Sequence, residues 1–164
     1  MNKSTDETPI ENDSDEFNEE NYYFQSGYNK FCNRNYEGAI KDYTKAIELN
    51  NKYGNAYFSR AQAKCELKDY NGAIKDFTKA FEFSPEYNAY SYFEYNKWSA
   101  YFNRAQALCE LNDYKGAIED LTKAIEIDPK KCDAFNKRAQ AKCKLRDYAG
   151  AIEDFTRSIE LDLC

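Results

Sequence analysis

The sequence repeats itself. Residues 57–80 read YFSRAQAKCELKDYNGAIKDFTKA and return at 101–124 as YFNRAQALCELNDYKGAIEDLTKA, identical at 18 of 24 positions. Residues 135–158, FNKRAQAKCKLRDYAGAIEDFTRS, repeat the pattern, and residues 23–46, YFQSGYNKFCNRNYEGAIKDYTKA, give a more divergent first copy. Successive copies are offset by 34, 44 and 34 residues, so the period is 34 with ten residues inserted between the second and third copies. A period of this size constrains the fold more than any composition does. One unit cannot bury its own apolar face, and stability comes from stacking each unit on the next.

Within a unit, two stretches carry apolar residues at helical spacing, each too short to be stable alone. In the third copy these are Tyr101, Ala105, Ala107 and Leu111, then Ala117, Leu121, Ala124 and Ile125. Between them lies Asn-Asp-Tyr-Lys-Gly, in which Asp113 is placed to cap the second helix. Ala105 and Ala117 are small where two helix backbones must approach, and Tyr114 fills the space beside the turn. The Asp128-Pro129 pair reads as the cap and first residue of the next helix. Arg60, Arg104 and Arg138 recur in phase with Asp76, Asp120 and Asp154, to which Asp42 corresponds in the first copy. Joint recurrence favours pairing of each arginine with an aspartate on an adjacent helix, over an arginine ladder for acidic ligands.

The period and pattern resemble the tetratricopeptide family over residues 20–164. Signature positions are held by Tyr23, Gly27, Tyr36, Ala39, Tyr43 and Ala46 in the first copy and by Tyr57, Ala61, Tyr70, Ala73, Phe77, Ala80 and Pro85 in the second. The third has Tyr101, Ala105, Tyr114, Ala117, Leu121, Ala124 and Pro129, and the fourth Phe135, Ala139, Tyr148, Ala151 and Phe155. The fourth departs at Ser158 and at Leu163, where a small residue and a proline are expected. The resemblance implies an all-α, right-handed solenoid of four helix–turn–helix repeats, at 20–53, 54–87, 98–131 and 132–164.

The insertion, residues 88–97 (NAYSYFEYNK), lies in a run without glycine or proline from Glu86 to Asp113. It is expected to lengthen the first helix of the third repeat, whose start reads as Ser84-Pro85; a loop folded over the solenoid is the competing arrangement. Its aromatic residues either pack on the preceding repeat or meet a partner. Residues 1–19 form an acidic tail. Residues 1–20 hold eight acids and one base out of 29 and 23 in the chain, so the remainder is close to neutral. Such a segment is expected to be disordered, serving as a solubilising extension or, alternatively, as a strand that occupies the binding groove.

Charge and composition exclude several functions. No basic footprint for nucleic acid is present, and no run of about 18 apolar residues would span a membrane. The N-terminus lacks the apolar stretch of a secretory signal, which points to the cytoplasm. The chain has no histidine, so the usual general base and commonest metal ligand are missing. Its cysteines show no CxxC or other metal spacing, and Cys65, Cys109 and Cys143 recur at one repeat position as small buried residues do. No enzymatic activity, cofactor or metal is expected.

The resemblance places binding on the concave face, lined by the first helices of successive repeats and taking a peptide or helix from another protein. Carried over, the groove comprises an aromatic row of Phe24, Phe58 and Phe102 beside a polar row of Tyr28, Gln62, Gln106 and Gln140. Asn55, Ser59, Asn103, Asn136 and Lys137 flank these rows. Side-chain amides suit an extended peptide because they donate and accept at once. Co-chaperones of the family grip the acidic carboxyl terminus of cytosolic heat-shock chaperones with lysines, an arginine and asparagines at fixed groove positions. Here those positions hold Phe24, Tyr28, Ser59, Ser99 and Asn103, or one repeat later Phe58, Gln62, Asn103, Asp133 and Lys137, which argues against that partner. The expected function is a non-catalytic adaptor for a protein or peptide. The alternative is a self-associating assembly protein, a homodimer formed through the last helix (Ile152, Phe155, Ile159, Leu161) or through the aromatic insertion.

Overall fold

The computed structural model describes residues 18–83 and 97–162. Over these residues the chain forms eight helices and no strand: α1 (Glu19–Cys32), α2 (Tyr36–Leu49), α3 (Gly54–Glu66), α4 (Tyr70–Phe83), α5 (Lys97–Glu110), α6 (Tyr114–Ile127), α7 (Cys132–Lys144) and α8 (Tyr148–Asp162). The expected extension of α5 through residues 88–96, the Ser84-Pro85 helix start and the disordered tail through residue 17 lie outside the described residues. Glu19, expected in the tail, is instead the first residue of α1, where the Asn18 side chain accepts from the Asn21 amide.

Helices pair as hairpins, α1 with α2, α3 with α4, α5 with α6 and α7 with α8, and each hairpin packs on the next through α2–α3, α4–α5 and α6–α7. The core is therefore a file of small clusters. Phe24, Ala39, Tyr43, Ala46 and Ile47 form the first with Ala56 and Ala63 of the next hairpin. Phe58, Ala61, Ala73, Phe77 and Ala80 form the second with Ala100. Ala105, Ala117, Leu121 and Ala124 form the third with Ala134. Alanine dominates because helix backbones meet at these points. In the first hairpin the ring of Tyr43 lies where larger copies of Gly27 would stand: a Cβ built on Gly27 falls 2.8 Å from Tyr43 Cδ1 and Cε1.

The turn inside each hairpin has one construction. The last helical turn closes with paired backbone bonds, as where the Arg34 amide donates to Phe31 O and the Asn35 amide to Lys30 O, both at 2.9 Å. Such closure requires a left-handed residue, and that residue is Arg34, Lys68, Asn112 or Arg146, with φ of 59°, 61°, 62° and 63°. The next residue, Asn35, Asp69, Asp113 or Asp147, finishes this closure and caps the following helix, accepting from the amide of Gly38, Gly72, Gly116 or Gly150 at 2.9–3.1 Å. The expected Asp113 cap is thus present. A Cβ at Gly72 would lie 2.1 Å from Oδ2 of the capping Asp69 carboxylate, which would have to turn to admit a side chain there.

Turns between hairpins are built differently, and here one expectation fails. Asp128 follows α6 as its C-cap, its carboxylate accepting from the Lys130 amide, and α7 begins only at Cys132 after Lys131. Pro129 therefore sits in the turn and does not open the helix. Its fixed φ suits a turn as well as a first helical turn.

The recurring arginines and aspartates do pair across each hairpin. Arg60 holds Asp76 through Nε and Nη2 at 2.8 Å each, Arg104 holds Asp120 at 2.7 Å each, and Arg138 holds Asp154 at 2.9 and 2.7 Å. Nη1 of the same arginines donates backward to Thr44, Thr78 and Thr122 of the preceding hairpin at 3.0–3.1 Å. One guanidinium thus joins three helices. Lys64 and Lys142 add a second cation to Asp76 and Asp154 at 2.7 and 2.8 Å; Leu108 stands at that position in the third hairpin. In the first hairpin Ser26 replaces the arginine, and Asp42 takes Lys30 and the Ser26 hydroxyl. For Asp154, desolvation pushes the carboxyl up, but Arg138 and Lys142 outweigh it and hold it below the ordinary carboxylate range.

Candidate functional site

The first helices, α1, α3, α5 and α7, stand side by side, and α1–α3 and α3–α5 touch directly. The residues expected on their shared face divide into two sets. Phe24 is buried, its ring 5.7 Å from Tyr43 and 5.1 Å from Tyr53. Phe58 is buried edge-on to Phe77 at 5.7 Å. Neither ring presents a surface to a ligand, so the expected aromatic row is not a row in the groove. Both point between the two helices of a hairpin, where they serve the core. Phe102 is half-buried and stacked on Trp98 with ring centroids 4.9 Å apart. Ser59 hydrogen-bonds the Tyr43 hydroxyl, whose titration burial pushes well above the tyrosine range, and so braces the interface between the first two hairpins.

The polar set lies nearer the surface. Asn55, Gln62, Asn103 and Gln106 are half-buried, and Tyr28, Asn136, Lys137 and Gln140 are exposed. Tyr28 is tied to Cys32, whose hydrogen bond and charge raise the phenol's titration point. Three members of this set meet at one place. Between α5 and α7 an open cavity of about 280 Å³ is lined by Gln106, Lys137 and Gln140, together with Ala105, Cys109, Glu110, Tyr114, Leu121, Ala141 and Lys144.

The cavity has an apolar floor and a polar rim. Its floor is Ala105, Leu121 and Ala141, all buried, with Cys109 beside them. Burial pushes the Cys109 thiol up, partly offset by the ammonium of Lys137 nearby, so this is a packing thiol and not a nucleophile. Glu110 hydrogen-bonds Tyr70 of the preceding hairpin, one of the causes that raise that phenol's titration point behind its desolvation. Lys137 and Lys144 lie seven residues apart on one stripe of α7, with Gln140 between them donating to Asn136 at 2.7 Å. Lys144, Glu110 and Tyr114 were not among the expected site residues. The two-turn spacing of Lys137 and Lys144 was the available signal.

Chemically the site can seat one apolar or amphipathic side chain while offering amides and ammonium groups to a backbone. Among the described residues no cluster of His, Cys, Asp or Glu could hold a metal ion, and no helix is long and apolar enough to cross a membrane.

Family models of the tetratricopeptide repeat match residues 21–53, 54–87 and 98–131. The chain belongs to the tetratricopeptide repeat family. No curated protein sequence matches it. Among solved structures, MamA residues 41 to the end from Desulfovibrio magneticus RS-1 superpose with a TM-score of 0.78 at 20% identity, over 90% of this chain and 77% of that one. The Arabidopsis OM64 tetratricopeptide domain gives 0.65 at 26% identity, over 75% and 93%. The first such domain of Spaghetti (RPAP3), bound to the HSP90 peptide SRMEEVD, gives 0.68 at 23% identity, over 78% and 94%. These likenesses show an all-α solenoid, and the tetratricopeptide repeat family to which the chain belongs serves protein–protein interaction.

Proposed function

We propose that this tetratricopeptide protein is a non-catalytic adaptor that binds an extended peptide of another protein along the face formed by α1, α3, α5 and α7. The observation that carries this reading is the cavity between α5 and α7, whose apolar floor and amide-and-lysine rim can bury one side chain of the peptide. Gln106 and Gln140 hold the peptide backbone on either side of that anchor. Asn103 and Gln62 continue the polar track toward α3. Phe24 and Phe58 act only as supports beneath it.

The neighbouring Spaghetti domain binds an acidic peptide, but the ligand here differs. The groove positions that carry lysines, an arginine and asparagines in chaperone-tail binders hold Phe24, Tyr28, Ser59, Ser99 and Asn103 in this chain, or one repeat later Phe58, Gln62, Asn103, Asp133 and Lys137, so that Lys137 is the one cation in either set. The test is a peptide-display selection on the whole chain, followed by fluorescence anisotropy of the best binders against Gln106→Ala, Lys137→Ala and Gln140→Ala. Removing a hydrogen bond to a bound backbone costs about 1–2 kcal/mol, so each substitution is expected to weaken binding roughly tenfold while leaving the circular dichroism unchanged. SRMEEVD serves as the comparator and is expected to bind weakly. Selected peptides indifferent to all three substitutions would place the ligand elsewhere.

A further inference from the structure

The cavity between α5 and α7 has a cause that the repeats disclose. At one position of the second helix the four hairpins carry Tyr43, Phe77, Leu121 and Phe155. The first three are buried, none more than 1% exposed. Only the third hairpin lacks a ring there. Phe24 and Phe58 each meet the ring of their own hairpin at 5.7 Å, whereas Phe102, their counterpart, stacks on Trp98 at 4.9 Å.

The ring of Tyr43 shows which space Leu121 leaves open. A Cβ built on Gly27 falls 2.8 Å from two of its atoms. After burial, the groups that act on its phenol include Ser59, through a hydrogen bond, and Cys32 and Tyr28, through charge. Two hairpins on, Gly27, Tyr28, Cys32 and Ser59 become Ala105, Gln106, Glu110 and Lys137. All four line the α5–α7 cavity together with Leu121. The cavity is therefore the place of a ring that the third hairpin does not supply.

A second exchange opens the rim. Glu110 of α5 hydrogen-bonds Tyr70 across the junction with the preceding hairpin. One hairpin later the corresponding residues are Lys144 and Tyr114, and Tyr114 donates instead to Asn112 Oδ1 at 2.7 Å. Lys137 adds a second ammonium where the preceding junction has Asn103. Among the described residues neither lysine is in an ion pair. The walls belong to α5, α6 and α7 alone, so the pocket does not depend on what stacks against α8 or stands before α1.

We propose that this pocket selects a phenylalanine of the partner peptide, with an aspartate or glutamate within two positions of it. The inference rests on the groove reading above and names its anchor. A cavity of about 150 Å³ already seats a benzene ring, and this one measures about 280 Å³. A ring entering from the open face points its tip at Ala105 and Leu121, both buried and apolar. A tyrosine hydroxyl would be left there without a partner, a penalty that phenylalanine avoids. Leucine would leave part of the ring's place empty and lose those contacts. Two residues of extended chain reach about 7 Å, so a carboxylate that close to the ring meets Lys137 or Lys144. Glu110 opposes it little, being engaged with Tyr70.

The test is display selection of random peptides on the whole chain, followed by anisotropy of the best binders. These are expected to carry phenylalanine with an acidic neighbour. Replacing that phenylalanine by alanine should weaken binding at least tenfold, and by tyrosine or leucine severalfold. Leu121→Phe copies the second and fourth hairpins; it is expected to hold its melting temperature and to weaken the same binders at least tenfold. Lys144→Glu is an exposed exchange that gives Tyr114 an acceptor, and it is expected to weaken them similarly without touching the core. Binders sensitive to Gln106→Ala that lack phenylalanine, or that ignore Leu121→Phe or Lys144→Glu, would overturn this inference and leave the groove reading standing. Binders indifferent to both Gln106→Ala and Gln140→Ala would overturn the groove reading and this inference with it. Tenfold tighter binding on Phe17→Ala or Phe93→Ala, or a dimer in sedimentation that Leu121→Phe dissolves, would make this chain itself the occupant and overturn the proposal.

Discussion

Asp120→Ala isolates what the arginine–aspartate pairs contribute. Asp120 is 3% exposed and takes two parallel bonds from Arg104 with no second cation among the described residues, because Leu108 stands where the other hairpins have lysine. Removing one partner of a buried pair costs about 3–5 kcal/mol, chiefly because the other charge is stranded. Arg104 is 18% exposed at its side chain, keeps its bond to Thr78 and rests 4.6 Å over the Phe81 ring. Part of its charge can therefore be resolvated, and the lower end, ~3 kcal/mol, applies. For a domain of this length that loss is a fall of roughly 6–12 °C in Tm. The assay is urea and thermal unfolding followed at 222 nm, with the urea slope checked for constancy. The double variant Arg104→Met, Asp120→Leu strands no charge and is expected to recover most of the loss. A single-variant cost below ~1 kcal/mol would class the pair with exposed ion pairs, and a double variant no better than the single would refute the stranded-charge argument.

Three further outcomes follow from the turns and the core. Lys68→Gly relieves a left-handed lysine at φ 61° and is expected to stabilise by up to about 1 kcal/mol, while Asn112→Gly at 62° gains less because asparagine tolerates that region; equal gains in urea melts would contradict this. Gly27→Ala drives a methyl into the Tyr43 ring and is expected to cost about 1–3 kcal/mol, with Tyr43→Leu restoring part of it, as the Ala105–Leu121 pair already fits. The stabilising share of Asp154 depends on pH with a fixed sign. Its folded titration point lies below its unfolded one, so its contribution is present above the ordinary carboxylate range and vanishes as pH falls through the folded value. The gap in stability between the wild type and Asp154→Asn is therefore expected to be constant at neutral pH and to close in acid below about pH 4; a gap that widens in acid would reverse the assignment.

Most of the fold was legible because the chain states it four times. Pairing of Arg60 with Asp76 could be read from two series recurring in step sixteen residues apart, and the Asp113 cap from its place before an apolar run. The site was less legible because the first helix of each hairpin is apolar on more than one side. Phe24 and Phe58 sit at helical spacing that fits either the groove or the gap beneath it, and periodicity alone does not say which side of a thin layer a ring faces. Their burial against Tyr43 and Phe77 decides it. The α5–α7 cavity depends on the distance between two helices, which sequence spacing within either helix does not encode. Asp128-Pro129 misled because a capping aspartate and a turn proline serve the end of one helix as readily as the start of another.

Each hairpin turn has one residue, Asn35, Asp69, Asp113 or Asp147, that closes the helix before it and opens the helix after it. Fraying either helix past that residue removes a support of the other, so the two are coupled at the turn, whereas the two described links between hairpins, 50–53 and 128–131, share no such residue. Amide hydrogen exchange should therefore release the molecule in whole hairpins, with adjacent helices of one pair exchanging together and steps appearing at the 50–53 and 128–131 links. Stretched from its ends, the same chain should lengthen in increments of two helices, its mechanical unit set by four small polar side chains and not by the length of any helix.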